Sequence, residues 1–409
     1  MLHRIWLTFI VSAFLATLYQ ALWGENPGGF QDVMNAVSSM ATLSVEIAIG
    51  LIGVLAFWLG IFEVAEKSGL IKKFSRVLAP FLCRIMPDIP RDHPALGSIT
   101  MNMSANLLGL DNAATPFGIK AMQDMQTLAP KKDTLTNSQI LFLVLNTSSV
   151  TLFPIAVFLY RGEQGAAQPT DVFIPILLAT SASTLAGLIV TCLVQRINLF
   201  NRVVLLYLVG VFGLLAAVIL YFAQLAATEL ASQSAIVANS LLFTFVVGVL
   251  ISGWRVGNNT YEQFVDGAKK GFEVAVSLIP FLLAMLVAIG MLRASGVMDI
   301  LVQMIATAAG WMGFDPRFVD ALPTALMKPL SGSGARALMI ETMQHYGADS
   351  FAGRLSSVMQ GSTETTFYVL AVYLGAVGIK HSRYAVACCL AADVAGIATA
   401  IVVSYWFFG

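Results

Sequence analysis

Apolar residues in this chain run in long stretches separated by short polar turns. A stretch of about 20 apolar residues can cross about 30 Å of hydrocarbon as an α-helix. Such stretches are centred on residues 5–24, 46–66, 136–160, 172–194, 203–223, 236–254, 272–292, 352–376 and 384–407. Two further apolar regions, 93–128 and 318–346, are interrupted by Gly, Pro, Ser and Asn into pieces too short to span singly. We expect each to form a re-entrant helical hairpin, with a pair of tilted full spans as the alternative.

The composition agrees with this pattern. Of the 409 residues, 57% are hydrophobic and 11% are charged, whereas a water-soluble protein carries about 25% charged residues. Lys and Arg together number 23, as do Asp and Glu, so no net charge attracts nucleic acid. The sequence therefore predicts an all-α polytopic membrane protein surrounded by lipid, without a nucleic-acid partner.

The positions of Lys and Arg predict the orientation, because short cytoplasmic loops carry an excess of these residues. With the N-terminus inside, the outside segments hold mainly Arg161, Arg293, Arg317 and Arg354. The inside segments hold Lys72, Lys73, Arg76, Arg84, Arg91, Lys131, Lys132, Arg196, Arg202, Arg255, Lys269, Lys270, Lys380 and Arg383. We expect a multi-pass protein of the bacterial inner membrane with a cytoplasmic N-terminus and a periplasmic C-terminus.

Two segments mix basic and apolar residues. Residues 71–86 are expected to form an amphipathic helix on the cytoplasmic surface, and residues 257–270 are expected to form a second one before the second repeat.

The chain contains an internal repeat, in which residues 40–108 align with residues 267–335 at a constant offset of 227. The aligned pairs include Glu46 with Glu273, Ser68-Gly69 with Ser295-Gly296, and Ser104 with Ser331. Five predicted spans separate the two starts, so the copies would be inverted, which is a recurring plan of secondary transporters. The predicted divisions are an N-terminal helix and linker (1–39), a first repeat (40–198), connecting helices (199–260) and a second repeat (261–409).

Small and polar residues concentrate in the two predicted hairpins. Unwound backbone at membrane depth is tolerated only against protein or a water-filled cavity, so these segments are the first candidates for a binding site. The candidate residues are Asn102, Ser104, Asn106, Asp111 and Asn112 in the first hairpin, and Lys328, Ser331, Ser333 and Arg336 in the second. A half-helix beginning after Ser331 would direct N–H groups at an anion, reinforced by Lys328 and Arg336. Close helix packing is the alternative role of the Gly and Ser residues.

Each repeat also carries a run of hydroxyl and amide side chains in a predicted broken span. The candidate residues are Asn146, Thr147 and Ser148 in the first copy, and Ser362, Thr363, Glu364 and Thr365 in the second. These groups could bind a polar solute, although hydrogen bonds between helices are their ordinary use in membranes. Ionisable residues inside spans cost about 3 kcal/mol each by insertion scales. Glu46, Glu273, Glu364 and Asp393 are therefore candidates for coupling transport to protons or sodium.

The sequence shows no pattern that indicates catalysis or metal binding. The four histidines lack ligand spacing, and no Walker loop, nucleophile elbow or HExxH motif is present. The four cysteines form no CxxC pair and are expected to be free thiols. We therefore predict no catalytic residue, no metal, no cofactor and no enzymatic activity. The expected partners are a small-molecule or ion substrate and membrane lipid, and homo-oligomer formation stays open.

Several motifs resemble a known family. One set consists of Trp58 to Gly60, Ala65 to Leu70, Asn102 to Asn106 and Leu110 to Pro116; the other consists of Gly267 to Lys269, Ile279-Pro280, Met285 to Gly290, Arg293 to Gly296 and Met327 to Gly334. The first set resembles spore maturation protein A and the second resembles spore maturation protein B, so that nearly the full chain resembles their fusion. Both belong to the nucleoside recognition or Gate domain group. That group is similar in motif to parts of concentrative nucleoside transporters and to the pore portion of the ferrous iron transporter B. The resemblance implies transport or gating without naming a substrate.

These observations favour a secondary transporter of a small polar metabolite, anionic or zwitterionic, whose transport is coupled to an ion by carboxylate residues. Two other functions stay open. One is a channel in which the two hairpins form a pore, and the other is a non-transporting scaffold or regulator of envelope processes.

Overall fold

The computed structural model describes residues 2–24, 28–90, 92–108, 111–148, 150–197, 199, 201–257 and 259–409, and the side chains of residues 2, 3 and 111–113 lie outside this description. Within these residues the chain is helical and forms no β-strand. The helices are α1 Leu2–Trp23, α2 Gly29–Lys67, α3 Leu70–Ile85, α4 Pro94–Leu107, α5 Asp111–Thr127, α6 Asn137–Thr147, α7 Ile155–Glu163, α8 Phe173–Gln195, α9 Arg202–Ala223, α10 Ala227–Arg255, α11 Thr260–Ala294, α12 Val297–Trp311, α13 Leu322–Met327, α14 Gly332–Tyr346, α15 Phe351–Gly361, α16 Thr366–Val377 and α17 Ala385–Phe408, with a 3₁₀ helix at Pro316–Ala321.

Seven helices of the described chain, α1, α2, α8, α9, α10, α11 and α17, are long and apolar enough to cross a membrane. Large apolar side chains on these helices are exposed, such as Leu206 on α9 at 71% and Phe243 on α10 at 72%. Apolar exposure of this extent is stable in lipid and not in water. The protein is therefore an all-α polytopic membrane protein, as the sequence predicts.

The two hydroxyl-rich regions, predicted as spans over 136–160 and 352–376, are each divided into two helices. Helix α6 ends at Thr147 and α7 begins at Ile155, directly after Pro154, while α15 ends at Gly361 and α16 begins at Thr366. Proline disfavours a helical residue before it, and Ser and Thr side chains compete for backbone hydrogen bonds. The broken helices agree with the fold prediction, and in the described part of the chain seven uninterrupted helices, rather than nine, are long and apolar enough to span.

The hairpin regions consist of shorter helices. In the first region α4 packs against α5, and in the second α13 packs against α14. The longest of the four, α5, has 17 residues and is about 26 Å long at 1.5 Å per residue. It falls short of about 30 Å of hydrocarbon, which agrees with re-entrant segments.

Helices α2 and α11 are longer than their predicted apolar cores, with 39 and 35 residues. Helix α11 begins at Thr260, so the separate surface helix predicted over 257–270 is wrong. The hydropathy pattern placed a boundary where the side chains change from polar to apolar. The backbone continues as helix through that change, since no proline occurs between Thr260 and Pro280. The other predicted surface helix, over 71–86, corresponds to α3.

Both long helices end at a Ser-Gly pair. Gly69 and Gly296 precede α3 and α12 with φ angles of 72° and 73°, which glycine adopts without a Cβ penalty. The hydroxyl groups of Ser68 and Ser295 each donate to a carbonyl three residues earlier at 2.9 Å. The aligned pairs of the sequence repeat therefore have the same local structure.

The helices group into two compact units, each built from three stretches of chain. Unit 1 comprises Met1–Gly60, Ala156–Pro169 and Val265–Gln360, and unit 2 comprises Ile61–Ile155, Thr170–Phe264 and Gly361–Gly409. Helices α6 and α16 lie in unit 2, whereas nearly all of α7 and α15 lie in unit 1. The predicted divisions 1–39, 40–198, 199–260 and 261–409 follow the repeats instead, and they stay predictions, as does the inverted repeat.

The core of unit 2 surrounds α6. Residues 138–147 of α6 are all buried, and the ring of Phe142 stacks on that of Tyr373 with centroids 5.8 Å apart. Helix α17 packs along α8 and also contacts α6. The first half of the first broken segment, helix α6, is thus buried in the core of unit 2 as far as its last residue, Thr147.

Candidate functional site

The ends of two broken segments adjoin within unit 2. The backbone N–H of Glu364, in the second break, donates to the carbonyl oxygen of Thr147, the last residue of α6, at 2.8 Å. A helix end leaves carbonyl groups without intrahelical partners, and here one of them is satisfied by the other break. We refer to this junction and the polar side chains around it as the break site.

The chain that leaves α6 is held on both sides. The N–H of Leu152 donates to the carbonyl oxygen of Leu107 at the end of α4, at 3.1 Å. The hydroxyl of Thr184 on α8 donates to the carbonyl oxygen of Ser148. The first hairpin and α8 therefore fix the conformation of this break.

An amide at the end of α6 connects three helices. The side-chain Oδ1 of Asn146 accepts a hydrogen bond from Nδ2 of Asn106 on α4 at 2.9 Å and a longer one from the Tyr373 hydroxyl on α16 at 3.4 Å. Its own Nδ2 donates to the carbonyl oxygen of Phe142 at 2.8 Å. Asn146 is 3% exposed, so these bonds form in a low-dielectric environment where a lost partner is costly.

A second amide lies next to the first. Asn102 is fully buried, and its Nδ2 donates to the carbonyl oxygen of Ala114 at 2.7 Å and to the Tyr373 hydroxyl at 3.4 Å. Among the described atoms, no donor reaches Oδ1 of Asn102, and Oγ1 of Thr363 in the second break likewise has no partner. Buried polar atoms of this kind normally have a hydrogen-bond partner. The two atoms could therefore accept hydrogen bonds from a bound polar solute.

A buried carboxyl group adjoins the start of α16. The hydroxyl of Thr366, the first residue of α16, donates to Oδ2 of Asp393 on α17 at 2.7 Å, and Asp393 is 1% exposed. Glu364 is half-buried in the break itself. A buried carboxylate is costly unless it is paired or protonated. Asp393 is therefore the most buried of the four carboxylates that the sequence selects as ion-coupling candidates.

The remaining ion-coupling candidates, Glu46 and Glu273, are exposed on α2 and α11 in unit 1. They occupy equivalent positions of the sequence repeat, and that equivalence gave no information about burial. Asp111 and Asn112 begin α5, but their side chains lie outside the described part of the structure.

Several predicted hydroxyl ligands form hydrogen bonds within their own helix. Thr147 and Ser148 donate to the carbonyl oxygen of Val144 at 3.1 and 2.7 Å, and Ser104 donates to that of Thr100 at 2.7 Å. Their oxygen atoms can still accept, but their protons are used. Ser362 and Thr365, which flank Thr363 and Glu364 in the second break, are both buried.

The second hairpin belongs to unit 1 and forms a separate polar region. Ser331 is the N-cap of α14, and its Oγ accepts the N–H of Gly334 at 3.0 Å and lies 3.2 Å from Oγ of Ser333. Lys328 is 5% exposed, and the Arg336 guanidinium lies 5.3 Å from the ring centroid of Tyr160. The predicted half-helix therefore does begin after Ser331. The serine hydroxyl caps that helix, as it would in a purely structural role.

Tyr373 is not among the site residues that the sequence predicts. Its hydroxyl joins the two buried amides, and it lies seven residues after Thr366, two helical turns along α16. Spacing of this kind on an otherwise apolar helix could have identified it. Among the described residues no cluster of His, Cys, Asp or Glu could hold a metal ion, and the four cysteines are free thiols.

Comparison with known proteins relates this arrangement to a family. The sequence model of the family named Gate, described as nucleoside recognition, matches residues 48–165 and 275–380, which together are more than half of the chain. The two matches begin 227 residues apart, the same offset as the sequence repeat.

Two curated relatives come from Bacillus subtilis (strain 168). Spore maturation protein A is 45% identical over 163 residues, which are 40% of this chain and 83% of that protein. Spore maturation protein B is 43% identical over 164 residues, which are 40% of this chain and 90% of that protein. The chain is thus similar to two separate proteins over most of the length of each.

Proposed function

Since the chain belongs to the Gate family of nucleoside recognition proteins, we propose that it is a secondary transporter of a small polar metabolite, anionic or zwitterionic, across the bacterial inner membrane. In this proposal the N-terminus is cytoplasmic, the C-terminus is periplasmic, transport is coupled to an ion, and no bond of the substrate is made or broken. Two segments of one chain match the same family model, which supports an internal repeat; in this proposal the two copies are inverted, as is common in secondary transporters.

The observation that carries the proposal is the junction of two broken helices at Thr147 and Glu364, which are joined by a backbone hydrogen bond. Interrupted helices in a membrane protein expose backbone polar groups where a solute can reach them, and they are tolerated only where protein or a water-filled cavity surrounds them. The free acceptors on Asn102 and Thr363 add side-chain groups to that backbone. Together they suit a solute with N–H or O–H donors.

The Asp393 carboxyl group supplies the coupling in this proposal. A proton or a sodium ion neutralises a buried carboxylate, and its release leaves a charge that is costly in the same environment. Occupancy by the ion would therefore change the stability of the packing between α16 and α17, where Thr366 donates to Asp393.

The test measures uptake into proteoliposomes that contain the purified full-length chain, with and without a proton or sodium gradient. Amino acids, small carboxylic acids and nucleosides are supplied as separate classes, because the family description names nucleosides and the break site favours hydrogen-bond donors. We expect gradient-driven accumulation of one class. Asn146→Leu should reduce it by at least about fivefold, since the loss of a buried hydrogen-bond network costs about 1–3 kcal/mol. The matched control is Gln303→Leu, because the Gln303 amide is exposed on α12.

Asp393→Asn separates coupling from binding. It should preserve exchange of labelled for unlabelled solute and abolish accumulation driven by the gradient. Asp266→Asn, at an exposed carboxylate of α11, should change neither. Absence of uptake for every class would contradict transport, and single-channel current would indicate a pore instead of a carrier.

A further inference from the structure

Two adjoining pockets open at one end of unit 2, away from the residues of the break site. Their volumes are about 650 and 410 Å³, within the range of small-molecule sites. Asp88, Asn137 and Ser138 line both. The walls come from the loop after α3, the loop before α6, the end of α8 and the start of α17.

The lining of the two pockets is cationic. Lys131 and Arg383 line the larger pocket, Arg84 and Arg196 line the smaller one, and the single carboxylate is Asp88. No carboxylate among the described residues lies within ion-pair distance of these four cations. Elsewhere in the described chain several cations form ion pairs with carboxylates, even at the surface. Lys120, for example, pairs with Asp124 at 2.8 Å.

The hydrogen bonds of the wall leave most of this charge available. Nη1 of Arg383 donates to the carbonyl oxygen of Leu135 at 2.9 Å, which positions the guanidinium at the pocket wall. Asn137, at the start of α6, is held by the Tyr384 hydroxyl at 2.8 Å and by Nε2 of Gln195 at 2.9 Å. Two loops of the wall are joined by the bond from the Lys380 N–H to the Asp133 carbonyl oxygen at 3.0 Å. These bonds connect the segments on either side of α6 that line the pockets.

We infer that these pockets bind a phosphate-bearing anion. The lining has four cations and one carboxylate, and it keeps a net positive charge even when nearby Asp133, which interacts electrostatically with Lys131, is counted. This charge favours a ligand with more than one negative charge, and the guanidinium groups match phosphate oxygens in a bidentate geometry. A free phosphorylated metabolite and the headgroup of an anionic phospholipid both offer this chemistry. The larger volume accommodates either, and basic pockets beside membrane helices are known to take lipid headgroups.

The experiment uses the purified full-length chain and measures its thermal unfolding midpoint, because a ligand that binds only the folded state raises that midpoint. In the first arm inorganic pyrophosphate is added in detergent, against sodium chloride of equal ionic strength. In the second arm the chain is placed in phosphatidylcholine nanodiscs with increasing phosphatidylglycerol. A concentration-dependent rise of several degrees is expected in one arm, which identifies the source of the phosphate.

Substitutions of the pocket arginines test whether the rise of the unfolding midpoint comes from binding in these two pockets. Arg84→Gln combined with Arg383→Gln should weaken the apparent affinity by at least about tenfold, since each removed charge-assisted hydrogen bond is worth about tenfold or more. Arg84→Lys with Arg383→Lys should restore part of it. Arg255→Gln, at an exposed position of α10 outside both pockets, should have no effect.

Two results would overturn the inference: no rise of the midpoint in either arm, or an equal rise in the chain and in the double Gln variant. The measurement does not depend on transport. Binding without uptake would therefore count against the proposed function alone, and uptake without binding would count against this site alone.

Discussion

Two arginines that the sequence placed in outside segments lie largely buried in helices of unit 1. Arg161, in the last turn of α7, is fully buried; its guanidinium donates to the carbonyl oxygens of Pro169 and Ala348 at 3.1 and 2.8 Å and pairs with Asp349 at 3.3 Å. Arg293 donates to Glu341 at 3.0 Å. The orientation rule counts charges without regard to their partners. These two arginines therefore belong to the packing of unit 1. The predicted membrane orientation must be judged from the Lys and Arg residues of the loops, with these two left out of the comparison.

The buried pair of Arg293 and Glu341 gives a prediction about stability. The two side chains are 14% and 6% exposed, so Arg293→Ala would leave a buried carboxylate without its partner. We expect a loss of about 3–5 kcal/mol in the free energy of unfolding. Arg317→Ala breaks a half-exposed pair with Asp315 and should cost at most about 1 kcal/mol. Thermal unfolding in detergent measures both.

A double variant tests the physical reason. Replacing both partners, as in Arg293→Met with Glu341→Leu, removes the buried charges together and should cost less than Arg293→Ala alone. If the double variant is the less stable of the two, packing around the pair decides its contribution, and the electrostatic argument is wrong.

At the scale of elements, close approach of helices shapes the break site. Gly396 on α17 lies so near the second break that an added Cβ would stand 2.9 Å from Cγ2 of Thr363 and 3.0 Å from Cβ of Ser183. Small residues are common at such contacts between membrane helices. The hydroxyl of Ser183 on α8 also donates to the carbonyl oxygen of Ala392 at 2.9 Å. Helices α8 and α17 are therefore fixed against each other beside the broken segment.

Gly396→Ala should displace α17 from the second break. We expect a loss of about 1–3 kcal/mol from overpacking, together with reduced solute uptake. Gly210→Ala is the matched control, because Gly210 is on α9 and an added Cβ would meet nothing within 4 Å. It should stabilise the chain by up to about 1 kcal/mol through helix propensity. Equal effects of the two substitutions on the unfolding midpoint would show that Gly396 is not tightly packed.

At the scale of the molecule, neither unit can be formed from one half of the chain. Unit 2 needs α3 to α6 and α8 to α10 as well as Gly361–Gly409, and unit 1 needs Met1–Gly60 as well as Val265–Gln360. Helix α17 of the second half packs along α8 of the first within unit 2. Two separate proteins, spore maturation proteins A and B, are each similar to 40% of this chain.

We predict that halves divided between α8 and α9 fold only together. Residues 1–199 and 200–409, each expressed alone, should be degraded or aggregate, because large apolar surfaces of both units stay uncovered. Expressed together, with an affinity tag on one, they should copurify in equal amounts and restore the uptake of the intact chain. A stable, monodisperse half on its own would contradict the interleaved units.

The sequence by itself determined the fold class and most of the helices. A long apolar stretch is stable as a membrane-spanning helix whatever its neighbours, so the long spans followed from the local hydropathy. Gly, Pro, Ser and Thr interrupt a helix through local backbone chemistry, so both helix breaks and the start of α14 followed from the local sequence as well. The family resemblance also rested on local motifs, from Trp58 to Gly334. The upstream extent of α2 and α11 did not follow, because helix continuity does not require apolar side chains.

Only the tertiary structure decided which of the candidate residues lie together. It joins Thr147 to Glu364, brings Asn102 and Asn146 to Tyr373, buries Asp393 and leaves Glu46 and Glu273 exposed. Residues far apart in the chain meet because long-range packing selects one arrangement of the helices, and a hydropathy pattern contains no information about that choice. Burial depends on the same packing, so it separates Asp393 from Glu46 and Glu273, which the sequence had treated alike as carboxylates inside spans.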